Sequence, residues 1–265
     1  MSQFDLKKLL KKIRKEKPLV HNITNYVVMN FTANTLLSMG ASPVMAHAPE
    51  EVEEMAGIAR SLVINIGTLS SPWIDSMLLA GLKANSLGVP VVFDPVGSGA
   101  TSLRTRTSRT IVEKMKISIV RGNASEILSL ASEGTVTKGV DAVHSVEDAA
   151  QAAKEISRQI NAVAAITGKV DLITDGEKVI RCRNGHQLMG CITGTGCAAT
   201  ATIAAFAAVT KDCMEAAAAG LAFFGIAGEI AAERAKSPGS FAVSLIDALY
   251  EISPDELQNR ALLDF

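Results

Sequence analysis

Short β-rich runs alternate with longer helical ones along this chain, and several of the runs are apolar on both faces. The strand candidates are ASPVMA (41–46), SLVINIG (61–67), VPVVFDP (89–95), ISIVRGN (117–123), AVAAITG (162–168) and DLITDG (171–176). Helical segments fall between and around them, near 26–39, 49–59, 71–87, 101–116 and 145–160. A strand with no polar face needs cover on both sides, which a parallel sheet between helices supplies. The alternation therefore predicts an open, doubly wound α/β sheet. After KVIRCRNGHQLM, read as an edge hairpin strand, the last third turns helical at about 194–210, 212–235 and 239–249. Gly220, Gly225 and Gly228 in the second of these predict close helix packing rather than breaks. Neither a Ser/Gly-rich linker nor a repeat divides the chain, so residues 1–265 are expected to form one domain with a large core.

Composition narrows the function. Apolar residues make up 48% of the chain and charged residues 20%, which excludes disorder. A net charge of -1 gives no footprint for nucleic acid, and a small-molecule ligand is the default. The N-terminus MSQFDLKKLLKKIRKEKP is charged from residue 5 onward and lacks the apolar stretch of a secretory signal. It reads as an amphipathic helix with Phe4, Leu6, Leu9, Leu10 and Ile13 on one side, capping the fold. The run AAAAGLAFFGIAG, between Glu215 and Glu229, reads as a buried helix, and a cytoplasmic protein is expected. The four cysteines form no CxxC pair, and Cys182, His186, Cys191 and Cys197 match no common zinc spacing. Thiols in a reducing compartment are the simpler account.

In open α/β sheets, ligands sit outside the carboxyl ends of the strands. Here Met45 ends the first candidate strand, Asp94-Pro95 ends VPVVF, Arg121-Gly122-Asn123 ends ISIV with Glu126 opening the next helix, and Thr167-Gly168 ends AVAAI. Each of these has an ordinary structural use, as a cap, a surface pair or a turn. Their convergence on one edge points to a site.

The stretch Gly194-Thr195-Gly196-Cys197 precedes an Ala-rich helix. Such a sequence lets successive backbone N–H groups face one point at the positive helix end, forming an anion hole. No GxxxxGK[ST] and no GxGxxG occur, so neither a P-loop nor a dinucleotide fingerprint explains it. An anion hole, an arginine at a neighbouring strand tip, and Asp94 and Glu126 able to hold Mg²⁺ make a phosphoryl-transfer site. Cys197 would stand beside the attacking hydroxyl, and a helix N-terminus lowers a thiol's pKa, which admits a thiolate at neutral pH.

These blocks resemble hydroxyethylthiazole kinases, the thiamine-salvage members of the ribokinase-like superfamily. The resemblance runs from PLVHNITNYVVMNFTANTLLSMGASPVMA through DPVGSGATSLR, IVRGNASEI, KGVDA, TGKVDLITDG and NGHQLM to ITGTGCAATATIAAF. Cysteine, where most ribokinase-like GTGD or GAGD motifs carry aspartate, points to this branch. The resemblance implies a three-layer α/β/α fold with a mostly parallel central sheet and no separate lid domain. It implies that Met45 and Gly194 contact the thiazole alcohol, with Asn25 and Val27 contributed by a neighbouring subunit of a homotrimer. Arg121 and Thr167 would bind ATP, Asp94 and Glu126 would organise Mg²⁺, and Cys197 would face the substrate hydroxyl. One departure stands out: Ala198 and Ala199 follow GTGC where relatives often carry Leu or Met. His21, within VHNITN, is read as orienting its loop. Three other functions remain open: a kinase for another small alcohol such as hydroxymethylpyrimidine, a hydrolase using Cys197 with His186 or His21 as base, and a non-catalytic nucleotide sensor.

Overall fold

A computed structural model describes residues 4–131 and 146–265. The KGVDA block and residue 145 of the predicted helix lie outside the described residues. The strands are β1 (Leu19–Ile23), β2 (Ser42–Val44), β3 (Ser61–Asn65), β4 (Val91–Asp94), β5 (Ile119–Asn123), β6 (Val163–Thr167), β7 (Asp171–Thr174), β8 (Val179–Cys182) and β9 (Leu263–Asp264). They form one nine-stranded sheet in the order β2-β1-β3-β4-β5-β6-β7-β8-β9. Pairings from β2 through β6 are parallel, and those from β6 to β9 are antiparallel.

The period-two alternation of each strand feeds two separate cores. Val20, Val63, Val92, Ile119, Val163 and Ile173 point to one face. There they meet α1 (Leu6–Glu16), α2 (Met29–Met39), α8 (Thr195–Ala207), α9 (Cys213–Arg234), α10 (Pro238–Glu251) and α11 (Pro254–Arg260). Ile23, Leu62, Ile64, Val91, Phe93, Val120 and Leu172 point to the other face. That side is covered by α3 (Val52–Ile58), α4 (Ser71–Ser86), α5 (Ser102–Lys114), α6 (Ala124–Leu128) and α7 (Val146–Ile160). The outcome is the expected three-layer α/β/α arrangement.

Helix α9 is long and apolar enough to cross a membrane by composition, and it is buried inside the protein instead. Its glycines explain how closely it packs. A Cβ on Gly220 would stand 2.8 Å from Ile203 Cα of α8, and Gly225 and Gly228 meet Asn184 and Met189 as closely. The amphipathic N-terminal helix also forms, with Leu6, Leu9, Leu10 and Ile13 buried.

Three expectations change. The run 179–182 is a strand but not the sheet edge, because β9 pairs with it at Arg181 and Cys182. The helix predicted from residue 26 starts at Met29. And a strand no candidate run covered, β1, sits one strand in from the sheet edge, between β2 and β3. Its His21 and Asn22 are fully buried, so the alternation of apolar residues is broken by polar side chains, each of which makes one hydrogen bond and keeps one buried atom, His21 Nδ1 and Asn22 Oδ1, without a partner among the described residues. Asn22 donates to the Val20 carbonyl (2.8 Å). His21 Nε2 lies 2.7 Å from the Ala46 carbonyl, tying β1 to the segment that follows β2.

Candidate active site

The strand registers bring the polar tips together at one edge. Asn65 pairs across from Asp94, and Asn123 across from Thr167. Asp94 is completely buried. Its Oδ2 accepts from Asn65 Nδ2 (2.9 Å) and from Thr200 Oγ1 (2.9 Å), while Oδ1 has no hydrogen-bond partner among the described residues. Burial pushes this carboxyl up to about 6, against the pull of the Arg121 guanidinium. It remains mostly ionised at neutral pH, with one oxygen held and one free.

Glu126 works differently. Its Oε1 accepts from the Gly97 backbone N–H (2.8 Å) and its Oε2 from that of Asn123 (2.9 Å), while Asn123 Oδ1 accepts from Glu126 N (2.9 Å). This capping box starts α6 and fastens the loop after β4 to the tip of β5. Arg104 ties the loop after β4 to the one after β3 by donating to the carbonyls of Ile66 (3.0 Å), Gly67 (2.7 Å) and Val96 (2.6 Å).

Helix α8 opens at Gly194, whose φ of +89° is one that side-chain-bearing residues rarely adopt. The first-turn N–H groups of an α-helix have no partner within it, and they carry the positive end of its dipole. Arg121 lies against this turn: a Cβ on Gly196 would be 2.5 Å from Arg121 Nη1. Arg121 Nη2 donates to Thr167 Oγ1 (2.7 Å). Of the two alanines after Cys197, Ala198 is fully buried, and Ala199 is buried too and lines the neighbouring cleft.

Cys197 Sγ accepts from Asn65 Nδ2 (3.1 Å) and Asn25 Nδ2 (3.4 Å). Burial, seconded by the charge of Asp94, pushes its thiol up to about 11. This goes against the thiolate admitted from the helix terminus: desolvation and the Asp94 charge outweigh the hydrogen bonds from Asn65 and Asn25 and the pull of Arg121, which favours the thiol at neutral pH. Among the described residues, no histidine is one of its hydrogen-bond partners. His21 is held by Ala46, and His186 Nδ1 accepts from Leu188 N (3.2 Å), so neither is seated as base for a thiol hydrolase.

Asn25, expected from a neighbouring subunit, stands instead among the site residues of its own chain, with its amide on Cys197 and on Asn65 Oδ1 (2.9 Å). Val27, two residues on, is exposed. Met45 follows β2 at the same sheet edge, half-buried, beside the Ala46 carbonyl that His21 fixes. Asn65, Thr200 and Arg104 were not among the candidates. Asn65 was the one polar residue inside an otherwise apolar run, and Thr200 lies four residues, one helical turn, beyond Gly196.

Beside Arg121 a cleft of about 750 Å³ runs along the sheet edge. Its walls include Thr167, Asp171, Gly185, Thr195, Leu221 and Phe224. A larger open groove of about 1080 Å³ lies at the opposite edge, near Pro90 and Ser118, away from these residues.

A three-layer α/β/α sheet with an open helix N-terminus, an arginine and a half-free carboxylate at its carboxyl edge defines the ribokinase-like class of phosphotransferases. Within it, the chain belongs to the hydroxyethylthiazole kinase family, whose model matches residues 10–255. A hydroxyethylthiazole kinase of Desulfotalea psychrophila is 57% identical over 94% of this chain and 91% of its own. The solved structure of the hydroxyethylthiazole kinase protein from Pyrococcus horikoshii is 46% identical, covers 98% of both chains and superposes with a TM-score of 0.90. The pyridoxal kinase of Staphylococcus aureus, solved in complex with ADP, shares the fold at 18% identity, with a TM-score of 0.62 over 80% of this chain and 88% of its own.

Proposed function

We propose that this chain transfers the γ-phosphoryl group of ATP to the hydroxyl of hydroxyethylthiazole, in thiamine salvage, as a single cytoplasmic domain assembled into a homotrimer. The observation that carries the chemistry is the meeting of three features: the open first turn of α8, Arg121 against Gly196, and the partnerless Oδ1 of Asp94. Family membership supplies the substrate. ATP would lie in the cleft, held by Arg121 and Thr167, with its terminal phosphate on the N–H groups of Thr195, Gly196 and Cys197. The thiazole alcohol would lie near Met45 and Gly194, beside Asn25, with Val27 of a neighbouring copy closing the site.

Magnesium fits the donors present. No cluster of three or more metal-binding side chains exists among the described residues, and Mg²⁺ commonly rests on one or two carboxylates plus substrate phosphates and water. Asp94 Oδ1 is a buried oxygen awaiting a partner, and Glu126, fixed by two backbone N–H groups, is the second carboxylate. When bound, the ion supplies charge neutralisation on the phosphate oxygens. The chain's own groups do the rest: the α8 N–H groups and Arg121 stabilise charge on the transferring phosphoryl group, and Asn25 and Asn65 fix the Cys197 thiol where the hydroxyl attacks. As the new P–O bond forms, the bond to the leaving ADP breaks, and the hydroxyl proton passes to an oxygen of the transferred phosphoryl group or to the minor thiolate form of Cys197, so a weak acceptor suffices in a loose transition state.

The test is ADP formation with ATP, Mg²⁺ and hydroxyethylthiazole, run beside hydroxymethylpyrimidine. Turnover specific to the thiazole is expected. A folded protein that forms no ADP with it above background overturns the reading.

A further inference from the structure

We propose that Asp171 is the residue that reads the ribose of the phosphate donor, accepting its vicinal hydroxyls in the cleft beside Arg121. The inference rests on the kinase reading above and goes beyond it by assigning donor specificity to one side chain. Asp171 opens β7, and its side chain points to the same sheet face as Ile173, toward α9, whose Leu221 and Phe224 form the opposite cleft wall. Its Oδ1 accepts from the Gly168 backbone N–H (3.0 Å), which closes the turn after Thr167 and leaves Oδ2 without a hydrogen-bond partner among the described residues. Among the described residues, Asp171 is the one acidic group on the walls of this cleft, whose charged and polar side chains also include Arg121, Lys169, His186 and Thr195.

An ionised carboxylate accepts hydrogen bonds and donates none. Phosphate oxygens have nothing to offer it and are drawn instead to Arg121 and the α8 N–H groups. A nucleoside triphosphate laid along the cleft has its phosphates at Gly196 and its base toward the apolar wall of Leu221 and Phe224. The sugar then falls between, where its two hydroxyls are the donors that suit a carboxylate with a free oxygen. Burial raises the Asp171 carboxyl to about 6, so a donor that pairs with its charged form gains more than it would at an exposed site.

The experiment compares kcat/KM for ATP, its 2′-deoxy and 3′-deoxy analogues and inosine triphosphate, with hydroxyethylthiazole and Mg²⁺ present, in the parent protein and in Asp171→Asn and Asp171→Ala. Loss of a ribose hydroxyl is expected to lower the parent's kcat/KM by about 10- to 100-fold, the range for a hydrogen bond to a charged acceptor. In Asp171→Ala this discrimination should fall below about twofold, with KM for ATP raised and KM for the thiazole unchanged. Asp171→Asn keeps an oxygen for the Gly168 N–H, so it preserves the turn and carries the test if the alanine variant does not fold. A parent that uses deoxy donors as well as ATP, variants that slow all donors equally, or a selective change with inosine triphosphate overturns the proposal. Absence of any turnover with ATP would instead sink the kinase reading itself.

Discussion

Cys197 and Asp94 are neighbours with opposed tasks, and their environments set what each can do. Asn65 donates to both, placing a thiol and a carboxylate around one amide nitrogen. With the thiol raised to about 11, only a minute fraction is ionised at pH 7. A carboxylate in its place ionises several units lower. Cys197→Asp is therefore expected to hold or raise kcat at pH 7, with a rate that levels off at lower pH than the parent's, whose base form keeps growing toward alkaline pH. Steady-state kcat between pH 6 and 9 checks this, and a folded but inactive aspartate variant contradicts it. Cys197→Ala should cost about 10²-fold at most, the low end of what a positioned base contributes. His21 gives a second titration. Burial lowers its pKa below 6.5, so the folded protein keeps it neutral while the unfolded chain takes up a proton. Its contribution to stability is full above pH 6.5 and is lost as pH falls through the folded value. The urea midpoint of the parent minus that of His21→Gln should be largest at pH 8 and narrow toward pH 5. Strand-tip position made Asp94, Arg121 and Thr167 legible in the sequence, because polar residues there interrupt apolar runs. Asn65 stayed hidden because its run continued past it through Ile66 to Gly67.

At the scale of elements, the pair α8 and α9 decides where the proposed anion hole stands. The first turn of α8 can reach Arg121 only if the rest of that helix lies deep against α9, and Gly220 permits this by offering no side chain to Ile203. Gly220→Ala would press a methyl onto Ile203 Cα and N at 2.8 and 3.0 Å, both backbone atoms that cannot swing aside. The expected loss is about 1–3 kcal/mol, the usual range for overpacking a core, read as a shift in the urea midpoint. Because the strain lifts α8, KM for ATP should rise in the same variant, and an unaltered midpoint and KM together would refute the link. The glycines were readable in the sequence as a packing device. By contrast β1 escaped, since His21 and Asn22 break the apolar run that announces a strand, and the short α11 and β9 escaped because seven and two residues carry too little periodicity. Each hidden element is held by contacts from distant parts of the chain: Ala46 on His21 of β1, Lys7 on Gln258 of α11, and Cys182 on Leu263 of β9.

For the whole molecule the open matter is how far one chain completes its own site. Asn25, Asn65, Asp94, Arg121 and Cys197 converge within a single copy, which places the proposed phosphate half in one chain. The alcohol side is less enclosed. Tyr26 and Val27, directly after Asn25, are 63% and 64% exposed, although Tyr26 leans on Trp73 with ring centroids 4.6 Å apart. Large apolar side chains left in water beside a site are commonly covered by another copy in symmetric assemblies. The trimer reading expects sedimentation at three times the 27.8 kDa chain mass. Val27→Asp would then set a charge in the contact, shifting the protein toward monomer. It should also lower kcat/KM for the thiazole, while KM for ATP, set within one chain, stays near the parent's. A parent that sediments as a monomer and is fully active would remove the neighbouring copy from the site. So would a monomeric Val27→Asp variant that keeps its thiazole kcat/KM, because the alcohol pocket would then be complete in one chain.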